Sequence, residues 1–226
     1  MRTRLIQALC AAAVLAGPLG AQQLVVDEGS FTVTREGRTG REDFRIVRTF
    51  AAGGATLVAS GTAVVGTART VVALRTDTSG TPIAYQLEGR DGGEVRERIT
   101  AQVARDRLAT RSQTPRGESA REYFLREGMI IFDEGEVHQY YFLTLPGKEG
   151  VTAVLPRRNE IAQFRVVSKG DDSIEVAGTR IVARRYVIGD AAGERQLWTD
   201  AEGRVLRVEA PALGLTAVRD AMPAAR

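Results

Sequence analysis

DTSGTPIAYQLEGRDGGEVRERITAQV, residues 77–103, is the stretch whose reading decides the fold. It opens on Asp77-Thr-Ser-Gly80. An Asp at the start of a turn accepts the turn's backbone N–H groups, and a Gly three residues on takes left-handed backbone without a Cβ clash. Ile83, Tyr85 and Leu87 then alternate with Ala84, Gln86 and Glu88. After Gly89-Arg-Asp-Gly-Gly93, the residues Val95, Ile99, Ala101 and Val103 alternate with Arg96, Arg98, Thr100 and Gln102. A period of two puts one face of a strand on a core and the other in water. Two such runs joined by a turn make an antiparallel hairpin.

The same grammar extends in both directions. Asp190-Ala-Ala-Gly193 and Asp200-Ala-Glu-Gly203 repeat the D-x-x-G turn. Phe44, Ile46 and Phe50 share a face that Arg48 interrupts, and Leu206 and Val208 alternate with Arg207 and Glu209. Further turns are signalled at Gly53-Gly54, Gly170-Asp-Asp172 and Gly178. Turns every ~8–12 residues mark an all-β meander, and that spacing predicts roughly ten to twelve strands. The expected fold is all-β with one short helix: a curved antiparallel meander forming a half-barrel, with strands over about Phe31–Glu127 and Val151–Arg219.

One segment changes period. Asp133-Glu-Gly-Glu136 reads as a capping box, Val137, Tyr140, Tyr141 and Thr144 follow helical spacing, and Pro146-Gly147 stops the run. The spacing predicts a helix over 133–145. Six of the 13 aromatic residues fall between Tyr123 and Phe142. As plain core they would plug the open side of a curved sheet; as a site they would lid an apolar cavity.

The first 21 residues carry a different message. Arg2 and Arg4 precede an apolar run from Leu5 to Ala16, Gly17-Pro18 breaks it, and Leu19-Gly20-Ala21 supplies the small residue a signal peptidase needs. The run is shorter than the ~20 apolar residues that span a bilayer. The expected organisation is therefore a signal peptide over 1–21, cleaved near Ala21, and a single β-rich domain over 22–226. The expected location is periplasmic or secreted, with no stable membrane span. The only cysteine, Cys10, follows Leu9, where lipid attachment would need a small residue. The mature chain then has no disulfide, no thiolate metal site and no cysteine nucleophile.

Charge narrows the partners. Loss of Arg2 and Arg4 takes 31 basic residues to 29, against 28 acidic ones. That balance gives no footprint for nucleic acid. Arg and Glu interleave, as in Glu94-Val95-Arg96-Glu97-Arg98, which suits solvated strand faces. Arg157-Arg158 and Arg184-Arg185, read as strand residues, split across the sheet.

Catalytic chemistry is thinly represented. His138 is the only histidine, and no G-x-S-x-G elbow accompanies it. On a helix only Glu134 and His138 would share a face, and two ligands do not hold a metal, so a capping and surface role is favoured for Glu134, Glu136 and His138. Asp171-Asp172 and Asp133-Glu134 sit at turn-like positions rather than as an acid–base pair. No P-loop lysine follows the Gly-rich strings. A transmembrane barrel would carry aromatic girdles on nearly every strand, and here the aromatics cluster.

Trp198-Thr-Asp-Ala-Glu-Gly-Arg-Val-Leu-Arg-Val208 forms a W-x-D-x-x-G-R hairpin, preceded by the strand pair Val176–Tyr186 and followed by Gly214–Arg219. This stretch resembles the C-terminal half of uncharacterised exported bacterial domains of unknown function. Those resemble in turn the periplasmic lipoprotein-carrier fold, a curved antiparallel sheet with helices across its open side. The resemblance implies no catalytic residue and no cofactor. The leading expectation is an exported soluble protein that binds an apolar or lipid-like ligand in the concave face, lined by Tyr123, Phe132, Tyr140, Tyr141, Phe142 and Trp198. The alternative is a structural or protein-interaction module of the cell envelope with no small-molecule ligand. A hydrolase ranks third, and no catalytic or metal-binding residue is assigned.

Overall fold

The computed structural model describes residues 22–145 and 149–224. The signal peptide expected over 1–21 and the Pro146-Gly147 stop lie outside the described residues.

Fifteen strands form one sheet. They are β1 (Gln22–Arg35), β2 (Arg38–Ala51), β3 (Gly54–Val65), β4 (Ala68–Asp77), β5 (Pro82–Asp91), β6 (Glu94–Ala104), β7 (Arg107–Thr114), β8 (Gly117–Phe124), β9 (Met129–Ile131), β10 (Gly150–Leu155), β11 (Glu160–Val176), β12 (Thr179–Asp190), β13 (Gly193–Thr199), β14 (Val205–Ala210) and β15 (Leu215–Arg219). The spatial order is β8-β7-β6-β5-β4-β3-β2-β1-β15-β14-β13-β12-β11-β10-β9. From β1, in mid-sheet, the chain meanders out to β8, jumps to the far edge at β9 and meanders back, so that β15 pairs with β1 through Phe31↔Arg219 to Arg35↔Leu215. Every pair is antiparallel except β9 with β10, which makes the sheet mixed.

All three D-x-x-G strings close hairpins. Gly80, Gly193 and Gly203 have positive φ, and the Asp carboxylates accept the N–H groups of Ser79, Ala192 and Glu202. There are more strands than the turn spacing predicts. An unsignalled hairpin closes in two residues at Glu36-Gly37, and the one signalled by Gly178 closes the same way at Ala177-Gly178, with positive φ at both central residues in each. That is the backbone a type I′ turn needs.

The sheet does not close into a barrel. Its two ends are bridged through the β10–β11 turn: Arg121 Nη1 donates to the Asn159 carbonyl (2.8 Å) and Tyr123 Oη to Asn159 Oδ1 (3.0 Å). The inward faces, including Phe31, Ile46, Leu74, Leu108, Phe164 and Leu197, form one continuous core. Residues 129–143 fill the bowl they enclose, and the residues from Val137 to Leu143 are all buried.

The helix is shorter than the spacing predicts. Val137–Tyr140 is a 3₁₀ turn and only Tyr141–Thr144 is α-helical (α1). Asp133 does not cap it. Its Oδ1 accepts the Gly135 N–H (3.2 Å) and its carbonyl accepts the Glu136 N–H (3.0 Å), so the acidic residues spend their turn before the helix starts. Two strand expectations also change. The irregularity between Trp198 and Thr199 shifts the β13–β14 register, so Val205 and Val208 face the core while Leu206 packs elsewhere. Phe50, at the end of β2, is 42% exposed rather than in line with Phe44 and Ile46.

Candidate functional site

The segment in the bowl is gripped by a carboxylate on the wall. Glu42 lies on β2 in register with Phe44 and Ile46, so its side chain points into the core, fully buried. Its Oε2 accepts the Val137 N–H (2.8 Å), and its Oε1 accepts the His138 N–H (2.8 Å) and faces His138 Nδ1 (2.7 Å). A carboxylate acceptor assigns the ring hydrogen to Nδ1. The imidazole stacks on Phe44 with centroids 6.0 Å apart. Opposite it, β3 has a glycine: a Cβ at Gly61 would lie 2.5 Å from His138 Cε1. His138 Nε2 is buried with no hydrogen-bond partner. Among the described residues no side-chain hydroxyl hydrogen-bonds Nε2, and the pair's contacts to the Val137 and His138 backbone make it a seat for the inner segment. The surface role expected of His138 and its neighbouring acids is overturned, because all three are buried.

Around this seat the acids of residues 133–136 meet arginines from the opposite wall. Arg157 Nε reaches Glu97 (3.0 Å) and Asp133 (3.3 Å), and its Nη2 reaches Glu136 (3.4 Å). Arg158 Nη1 pairs with Glu134 (3.1 Å), which also receives Arg195. Arg157 and Arg158 do not split across the sheet as expected. They sit in the β10–β11 turn, where alternation does not apply, and both turn to the same acidic run. Tyr85 donates to Asp133 Oδ2 (2.9 Å).

The charges in this group are unevenly compensated. Burial, then Asp133 and Glu42, push the Glu136 carboxyl up to about 8, against the opposing pull of Arg157 and Arg35. One of its oxygens has no hydrogen-bond partner. Burial opposes the charge of Arg157, but Asp133, Glu136 and Glu97 outweigh it and hold the guanidinium protonated more firmly than usual. Burial, followed by Asp133, drives the Tyr85 hydroxyl well above its ordinary value.

Beside this group lies a cleft of about 280 Å³. Phe132, Leu155, Pro156, Leu213 and Leu215 form its apolar walls, and Arg35, Asp133, Glu134, Gly135, Arg157 and Arg158 its polar end.

The aromatic residues expected to line a cavity separate into three environments. Phe132, Tyr140 and Phe142 are fully buried in the bowl, with Phe132 edge-on to Tyr140 (5.0 Å) and Phe164 (5.5 Å), and Phe132 alone among the six reaches the cleft. Tyr141 is buried against Phe142, and Tyr123 sits at the sheet edge bonded to Asn159. Trp198 belongs to a second cluster with Ile174, Val176, Ala183 and Leu206. Leu197 faces the core, so its neighbour Trp198 points to the other side of the sheet, where it donates to Asp172 (2.9 Å). The residues missed from sequence are the inward charges: Glu42, Glu97, Arg195 and the Asp27–Arg219 pair, whose guanidinium reaches both oxygens at 2.7 and 2.9 Å. Their signal was phase. Glu97 falls between Val95 and Ile99, Arg195 two before Leu197, and Arg219 two after Ala217.

Among the described residues no three His, Cys, Asp or Glu side chains come together as a metal-holding group. No helix among them is long and apolar enough to cross a membrane. What the cleft can do is bind: apolar walls supply burial, and guanidinium groups at one end supply orientation.

Residues 139–219 match the model of DUF6134, a domain of unknown function. The fold is similar to the crystal structure of a beta-barrel-like protein of the domain of unknown function DUF1849 from Brucella abortus, at 9% identity and a TM-score of 0.52, covering 85% of this chain and 94% of that one. No curated protein sequence matches the chain. By these comparisons the chain carries an uncharacterised domain with a sheet fold of the barrel-like kind.

Proposed function

We propose that this is an exported binding module that takes an apolar or lipid-like ligand at the open end of its bowl. The observation that carries the reading is the cleft walled by Phe132, Leu155, Pro156, Leu213 and Leu215. At about 280 Å³ it is close to the lower bound of small-molecule sites, with the predominance of apolar lining that such sites have. The bowl itself is filled by the chain's own residues 129–143, so the ligand lies beside that segment rather than beneath it.

The filled bowl favours a second reading, an interaction module of the cell envelope, since a concave face packed with its own side chains needs no ligand to be stable. Native mass spectrometry of the protein gently extracted from its own envelope separates the two. A co-purifying lipid-sized mass is expected. A clean apo mass overturns the binding reading. Export has its own test: the mature protein should begin at Gln22 on N-terminal sequencing, and a retained Met1 would overturn it.

A further inference from the structure

Two guanidinium groups converge at the polar end of the cleft with N–H groups to spare. Arg35, inward-facing at the end of β1, donates through Nη2 to the Gly135 carbonyl. It forms no ion pair with a carboxylate among the described residues. Arg157 Nε lies at ion-pair distance from Glu97 and Asp133 without hydrogen-bonding either, its Nη2 donates to Glu136 and Thr70, and its Nη1 makes no hydrogen bond among the described residues. Gly135 lies between them. A Cβ there would sit 3.0 Å from Arg157 Nη1, 3.5 Å from Asp133 Oδ1 and 3.6 Å from Arg35 Nη2, so the missing side chain leaves a notch that two cations and one carboxylate oxygen face, the carboxylate already accepting the Gly135 N–H. The backbone of Gly135 does not have positive φ, so conformation alone does not demand glycine there.

The nearby carboxylates do not use up these donors. Asp133 accepts from Tyr85 and the Gly135 N–H and lies 3.3 Å from Arg157 Nε, Glu136 takes Arg157 Nη2, and Glu134 takes Arg158 and Arg195, which leaves Arg157 Nη1 without a hydrogen bond among the described residues. Five apolar side chains continue from the notch. The cleft is too small for a two-chain lipid and suits one short chain.

Resting on the binding reading above, we infer that the cleft recognises a single-chain amphiphile by an anionic head, carboxylate or phosphate, held over Gly135 between Arg35 and Arg157. Guanidinium N–H groups match the oxygens of either head, and charge-assisted hydrogen bonds give the head its weight in affinity.

Calorimetric titration of the full protein with octanoate, octyl phosphate, octanol and inorganic phosphate, all below micelle-forming concentration, tests this. Octanoate and octyl phosphate should bind at least about tenfold tighter than octanol, the return on one or two charge-assisted hydrogen bonds. Gly135→Ala, which fills the notch and keeps both charges, should bring octanoate down to the octanol level and leave octanol unchanged. Arg35→Met should do the same, and the thermal midpoint of each variant reports that it is folded. Should Arg35→Met not fold, Gly135→Ala and the four-probe comparison on the parent protein decide alone. Equal affinity for octanoate and octanol would overturn the head site while leaving the apolar cleft standing. Inorganic phosphate binding as tightly as octyl phosphate would overturn the amphiphile and leave a plain oxyanion site. No binding of any eight-carbon probe would overturn both this inference and the function proposed above.

Discussion

Glu42 and Glu136 are both fully buried carboxylates within the same bowl, yet their surroundings are opposite. Glu42 receives two backbone N–H groups and the His138 ring, so each of its oxygens is occupied. Glu136 has one long contact to Arg157, one oxygen without a partner, and two acids for neighbours. A buried carboxylate ringed by donors fixes whatever supplies the donors. One that is short of donors is forced toward its neutral form. The wall therefore holds the inner segment at residues 137–138 through a fully paired carboxylate, while the carboxylate just before them, Glu136, lacks a full set of donors.

Removing the well-served partner should cost most. Glu42→Ala leaves two buried backbone N–H groups and a buried imidazole without an acceptor, and should destabilise by about 4 kcal/mol. Thermal unfolding would register this as a fall of roughly 2–4 °C per kcal/mol. A loss below about 1 kcal/mol would mean the segment does not depend on this seat.

The poorly served carboxylate should reveal itself through pH. With its pKa at about 8 folded and near 4.5 unfolded, Glu136 makes the native state bind more protons than the unfolded state between those values. Its contribution to stability is therefore fully present below about pH 4.5, falls as pH rises, and levels off above about pH 8. Denaturant melts at pH 5 and pH 8 should differ by a few kcal/mol from this source. Glu136→Gln, neutral throughout, should flatten the slope and stabilise at pH 8. A slope unchanged in the variant would move the effect to another group.

Next in size is the glycine that admits the imidazole. Gly61→Ala forces the His138 ring off Glu42 and should cost about 2 kcal/mol as overpacking. The double variant with Glu42→Ala should cost less than the sum, because both act on one contact. Smallest is a change away from the bowl: Trp198→Phe removes the hydrogen bond to Asp172 and should cost about 1 kcal/mol without altering ligand binding. Lost binding in that variant would tie the outer cluster to the cleft.

Much of the sheet was legible residue by residue. The run from Ile83 to Leu87 and the three Asp-initiated turns report local physics, since side-chain alternation and left-handed backbone are properties of a few consecutive residues. The helix boundary was not legible, because Asp133 turns its carboxylate to the Gly135 N–H, Tyr85 and Arg157, and Glu136 pairs with Arg157, so neither caps the helix. Arg157-Arg158 misled for a related reason: a two-residue shift from strand into turn removes the alternation on which facing was judged. The candidate site was half legible. Phe132 was named, and Arg35 is in phase with Phe31 and Val33, but Gly135, which shapes the polar end, carries no local signal.

From its sequence alone this chain determines that it is a β meander with tight, Asp- and Gly-closed turns and one helical interruption. Which charges are buried, and against what, was decided only by the tertiary structure. Glu42 and His138 are 96 residues apart, and Arg35 and Gly135 are 100. No local pattern records a partner at that distance; only the course of the sheet around its inner segment brings the two together.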